Sequence, residues 1–204
     1  MDVAYVSLSI FINHNTQVMK KILFTICLIT GLYAAAQAQV SVTPRASFSM
    51  PQGFLSNIAG NGFGYGLDLD YAVTDNLRIG ASFSQHQFNG EIAGFNLNVV
   101  DFKVTPITAT AKYVLPGNTL RPYIGLEGGI YNFSAGAAGF DITREYWGLA
   151  PSLGVLYPVS DQIDFFASAQ YHVMYLNENI PIADFNINQD IKFIPINLGL
   201  SFKF

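Results

Sequence analysis

Cysteine is almost missing from this chain, and charge is scarce. The single cysteine, Cys27, falls within the first forty residues, so the remainder has neither disulfide nor thiol chemistry. Only 12% of the residues are charged, about half the share of an ordinary globular domain, while 50% are hydrophobic and the mean hydropathy is +0.30. Long apolar runs are missing too. A transmembrane helix needs roughly 18 or more consecutive apolar residues, and beyond residue 38 there is no such run. Nor is there an excess of basic residues: the formal net charge of −4 argues against nucleic acid as a partner.

What is present first is a targeting segment. Met19-Lys20-Lys21 supplies a positive start, Ile22 to Tyr33 an apolar core, and Ala36-Gln37-Ala38 a small-residue cleavage pattern. Residues 1–38 are therefore expected to be a signal region, with Met19 the true start, cleavage after Ala38, and residues 39–204 a single domain. "FTIC" around Cys27 lacks the small residues of a lipoprotein box. Without residues 1–38 the chain keeps eight basic side chains (ten less Lys20 and Lys21) and thirteen acidic ones (fourteen less Asp2).

Beyond the leader, the apolar residues recur at every second position. Phe63, Tyr65, Leu67, Leu69 and Tyr71 fall on one face, with Gly64, Gly66, Asp68 and Asp70 on the other. Ile163, Phe165, Ala167, Ala169, Tyr171, Val173 and Tyr175 oppose Asp164, Phe166, Ser168, Gln170, His172 and Met174 in the same way. A period of two is that of a β-strand. Three segments, "LDYAVTDNLRIGAS", "AKYVLPGNTLRPYIG" and "VLYPVSDQIDFFAS", each lead from a tyrosine (Tyr71, Tyr113, Tyr157) through a short turn into the next strand. Longer polar or Gly-rich segments at 50–62, 89–99, 135–145 and 176–191 alternate with these turns. Eight strands follow, over 40–49, 63–72, 77–88, 100–114, 120–133, 146–158, 163–175 and 192–204. In the fourth, Phe102, Val104 and Pro106 share a parity with Thr108, Thr110 and Lys112, which predicts a bulge near Pro106.

A soluble sandwich also alternates, but its polar face is rich in Lys and Glu. Here that face is small, glycine-bearing and sparsely charged, which suits the crowded interior of a narrow barrel whose large apolar residues face lipid. Only a closed barrel leaves no unpaired strand edge in hydrocarbon. The predicted fold is all-β, an eight-stranded antiparallel up-and-down transmembrane barrel.

Parity then sorts the side chains that carry chemistry. Arg45, Asp68, Asp70, Arg78, Lys112, Arg121, Glu127, Asp164 and Lys203 turn inward. Unpaired buried charge costs several kcal/mol, so these residues are expected to form a charge network that plugs the lumen; a transport path is the competing reading. Asp68 and Asp70, spaced i, i+2, raise acid/base or metal chemistry, with cation pairing the simpler account. His86 and His172 also point inward, and Ser84 lies two residues before His86; a satisfied interior histidine is the simpler account, a general base the competing one. "GNGFGYG" has glycines at every second position and no helix after it, so it is strand rather than a phosphate loop. Tyr71, Tyr113, Tyr157 and Phe204 form one expected interfacial girdle, and Trp147 with Phe48, Phe63, Tyr65 and Tyr175 the opposite one. Acidic residues including Glu91, Asp101, Glu145 and Asp190 outnumber basic ones in the expected outer loops.

The leader, "RPYIGLEGGIYNF" in the fifth strand, the short turns and the alternating end "IPINLGLSFKF" together resemble the small outer-membrane barrels of Gram-negative bacteria, of the OmpA, OmpX and OmpW type. The resemblance implies an outer-membrane location with both termini periplasmic, and a terminal strand whose Phe202 and Phe204 are read by the barrel-assembly machinery. It implies contact with outer-membrane lipid and lipopolysaccharide. The chain stops with the barrel, so a peptidoglycan-binding role is not carried over. The expected function is non-enzymatic, structural or surface-interacting, with a lumen filled by side chains and with no cofactor or metal. The alternatives are a narrow channel for a small apolar solute, as OmpW-like resemblance implies, and a lipid-modifying enzyme.

Overall fold

The computed structural model describes residues 40–204 apart from 93–94, 118, 138–139, 177–179, 183–184 and 188–189; the signal region and the proposed start at Met19 lie outside the described residues. Val40–Lys203 forms one unit. Its strands are β1 (Val40–Gln52), β2 (Ala59–Ala72), β3 (Leu77–Ile92), β4 (Phe95–Val114), β5 (Arg121–Ala137), β6 (Phe140–Pro158), β7 (Ile163–Gln170), β8 (His172–Tyr175), β9 (Ile180–Ile182), β10 (Phe185–Ile187) and β11 (Ile191–Lys203). Each neighbour pair from β1 to β7 is antiparallel, and β11 pairs with β7 on one side and β1 on the other. β8 continues β7 between the same two neighbours, β6 and β11. The ring therefore has eight staves. β9 and β10 form a separate two-stranded ribbon.

The ring closes through pairs such as Arg45 with Gly199 and Phe48 with Ile196. Its faces are inverted relative to a soluble domain. Ser41, Thr43, Arg45, Ser47 and Ser49 of β1 are buried, whereas Phe63 is 72% and Trp147 67% exposed, among an outward set of Leu, Ile, Tyr and Phe on every stave. A wall that is apolar outside and polar within is stable only in hydrocarbon, where no water competes for the backbone.

The strands run further than their sequence pattern predicts. The segments expected as loops at 89–99 and 135–145 are the ends of two long hairpins, with Ile92 opposite Phe95 and Ala137 opposite Phe140. The segment at 50–62 holds a 3-10 helix, Gly53–Asn57, entered through Gly53 in the left-handed region (φ +60°). The predicted bulge near Pro106 is not there. β4 keeps an unbroken register with β5 from Val100 to Val114, and the irregularity against β3 lies at Asn89/Glu91. Phe102 and Val104 point inward with Thr108, Thr110 and Lys112 because the lumen is aromatic, not polar, at that height.

One true interruption falls where the pattern looked regular. Tyr171 separates β7 from β8 without any change of register. Its N–H donates to the Pro151 carbonyl at 2.9 Å, but Pro151 has no N–H to return. Continuing the β7–β11 register places Pro195 opposite Gln170. Two adjacent residues thus face a proline, one on each side, and the ladder loses two rungs.

Candidate functional site

The lumen is the only place where the barrel gathers polar chemistry among its described residues, and it is built in layers. We name its ends from the connections: the turn end holds the tight turns and both Val40 and Lys203, and the loop end the longer connections. At the loop end, Leu55 folds in from the 3-10 helix to meet Phe88, Phe102, Val104, Phe133, Met174, Ile191 and Phe193, all buried. The rings interlock, Phe88 on Phe193 at 5.5 Å and Phe102 on Phe133 at 6.1 Å between centroids. This is an apolar stopper.

Below it lie both histidines. The His172 ring stacks on Phe193 at 4.6 Å and 8°, and the two imidazoles are 5.7 Å apart. His86 Nδ1 is hydrogen-bonded to Ser49 at 2.8 Å, and its Nε2 to Ser84 at 3.1 Å. His172 Nε2 donates to the Gln170 carbonyl at 3.1 Å, since an amide oxygen only accepts; its Nδ1 therefore accepts the Tyr131 hydroxyl at 2.9 Å. All four ring nitrogens are occupied and both side chains are fully buried.

Glycines make this filling possible. A Cβ on Gly148 would stand 2.7 Å from the Tyr131 ring, and one on Gly154 2.6 Å from the Tyr123 ring. The small residues of one strand are thus the seats of rings from the next.

The middle layer holds the charges. Lys112 lies 3.2 Å from Asp68 and 2.9 Å from Asp70, and Arg45 Nε lies 3.3 Å from Asp68. The paired carboxylates at i, i+2 thus share one ammonium rather than forming an acid/base dyad. Ser82 donates to Asp68 at 2.7 Å and accepts from Arg45 at 2.9 Å. Gln170 is the hub: its carbonyl accepts from Arg45 at 2.8 Å and from Asn197 at 3.1 Å as well as from His172, and its amide donates to Glu127 at 2.5 Å. Glu127 also accepts from Thr108 at 3.2 Å and has no ion-pair partner. At the turn end, Asp164 takes Arg121 at 2.5 Å and Lys203 at 3.0 Å. Arg78 is buried nearby without a hydrogen bond or ion pair.

The structure therefore brings Arg45, Asp68, Asp70 and Lys112 into one cluster, sets Arg121, Asp164 and Lys203 in a second, and leaves Glu127 and Arg78 outside any ion pair. Gln170 and Asn197, which knit the layers, carry no charge, and their inward parity on β7 and β11 was their only signal. The girdle residues Tyr71, Tyr113, Tyr157 and Trp147 are exposed on the outer wall. Phe202 is half-buried opposite Ile163 and Val42, and Phe204, past the end of β11, is 75% exposed. Among the described residues no group of His, Cys, Asp and Glu is arranged to hold a metal ion.

An eight-stave antiparallel ring, lipophilic outside and ion-paired within, defines a small integral outer-membrane barrel. The chain belongs to the outer membrane protein beta-barrel domain family, whose sequence profile spans residues 24–204. It is similar in structure to Neisserial surface protein A (TM-score 0.62, 20% identity, covering 81% of this chain and 97% of that one). It is also similar to Ail, the attachment invasion locus protein of Yersinia pestis (0.50, 20%, 82% and 97%), and to the outer membrane protein OprG of Pseudomonas aeruginosa (0.51, 18%, 82% and 96%). No curated protein matches the sequence. At these identities the solved structures speak for the fold alone.

Proposed function

We propose that this barrel is a sealed, non-enzymatic scaffold that presents its loop end at the cell surface. The observation that carries this reading is the filling of the lumen from the loop end to its middle, by the stopper from Leu55 to Phe193, the His86/His172 layer and the Asp68-centred charges. Where an apolar solute would need space, it meets packed rings. Where a lipid-modifying enzyme would need a base open to the outer face, both imidazoles lie fully buried beneath the apolar stopper. In this reading both termini are periplasmic, the barrel-assembly machinery reads Phe202 and Phe204, and the loop end meets lipopolysaccharide or another surface partner. Ail, named for attachment and invasion, is a barrel of this fold whose name fits a surface-interaction role.

The test is conductance. Purified barrel reconstituted in planar bilayers is expected to give no sustained current steps at neutral pH. Stable, reproducible channels of uniform size would overturn the sealed reading.

A further inference from the structure

We propose that a cavity at the turn end of the lumen binds one small monovalent anion, chloride or a halide of similar size. The cavity leaves about 10 Å³ of free space, the room one water-sized body needs. Its polar lining consists of Arg78, Lys112, Tyr123, Thr43, Ser201 and Asp70, set against apolar walls that include Phe166 and Leu156.

One of these groups is an orphan. Arg78 is only 8% exposed and makes no hydrogen bond or ion pair, with Nε shielded from solvent; Asp70 and Asp164 attract it only from a distance. Tyr123 is 2% exposed, and its hydroxyl has Ser168 beside it. Buried polar groups in native proteins are nearly always satisfied, and an unpaired buried charge costs several kcal/mol. The one carboxylate in the lining attracts Arg78 but makes no hydrogen bond with it: Asp70 accepts from Lys112 at 2.9 Å and from Thr110 at 3.3 Å. Lys112 spends two protons on Asp68 and Asp70, which leaves it a third.

Arg78 and Lys112 therefore face the cavity with donors to spare, and the hydroxyls can turn their hydrogens toward it. Charge points the same way. Arg78 and Lys112 against Asp70 give the lining a net +1. In the whole described lumen, Arg45, Arg78, Lys112, Arg121 and Lys203 stand against Asp68, Asp70, Glu127 and Asp164, again +1. One monovalent anion neutralises both. Water would satisfy donors but leave the charge, a cation would be repelled by Arg78 and Lys112, and a carboxylate or phosphate exceeds the space.

The experiment uses the full barrel in detergent. In crystals with bromide replacing chloride, an anomalous peak is expected at hydrogen-bonding distance from the Arg78 guanidinium, and no peak there overturns the site. In solution, thermal unfolding is followed in chloride and in gluconate, an anion too large for the cavity, at equal ionic strength. The midpoint is expected to rise by about 4 °C at a chloride concentration ten times its Kd. Arg78→Gln is expected to abolish that rise. Equal midpoints in the two salts, or an undiminished rise in Arg78→Gln, would overturn the proposal. Neither readout depends on whether the lumen conducts, so this site and the sealed-barrel reading can fail separately.

Discussion

Gln170 holds the lumen together although it carries no charge. Replacing it with leucine leaves Glu127 with one neutral donor and strips an acceptor from Arg45, Asn197 and His172. A buried charged group losing its partner costs about 2–3 kcal/mol. Gln170→Leu should therefore lower unfolding stability in urea by about 3 kcal/mol, and less in a Glu127→Gln background, where no buried charge is left bare; an equal loss in both backgrounds would show that Glu127 is not what Gln170 supports. Gly154→Val should be as damaging for a steric reason, since its side chain would enter the space of the Tyr123 ring. Folded yield and heat-modifiable migration on a gel would report it. At this scale the charges were legible, because a period of two fixes which side of the wall each takes. Their pairing was not: Arg78 and Arg121 share a face by parity, yet only Arg121 reaches a carboxylate.

Strands were legible wherever polar and apolar residues alternate cleanly, as in β2 and β7. β4 misled because Phe102 and Val104 are apolar and inward, and alternation alone cannot distinguish a residue facing lipid from one facing an aromatic stopper. Strand length was hidden too, since the hairpins beyond Phe88 and Phe133 use polar and glycine residues that also suit loops. The proline gap at Tyr171 was readable in principle, but only with the register known, because Pro151, Pro195 and Tyr171 are far apart in sequence. The Tyr171 carbonyl, which lacks the donor that Pro151 cannot supply, should show an isotope-shifted amide I band at higher frequency than the Phe165 carbonyl. Pro151→Val should lower that frequency; no response to the substitution would mean that another donor already serves the carbonyl.

For the whole molecule, closure matters more than any single stave. β11 pairs on both sides, so its loss exposes the edges of β1 and β7 to hydrocarbon, where each unsatisfied backbone group costs several kcal/mol. Deleting residues 191–204 should abolish the heat-modifiable form. Deleting Phe204 alone removes no ladder bond of β11, so the isolated barrel should keep its stability within about 0.5 kcal/mol while its assembly rate in cells falls; unchanged assembly would count against Phe204 as an assembly signal.

The two missing rungs also give the wall a direction of tearing. Pulled from the loop end in a force experiment, a uniform hairpin unzips rung by rung, but β8 is tied to its neighbours by only a few pairs above the gap at Gln170 and Tyr171. The stave should yield there first, releasing His172–Tyr175 as a short fragment while Ile163–Gln170 still holds. The barrel would come apart along a perforation, set by two prolines on strands that do not pair with each other.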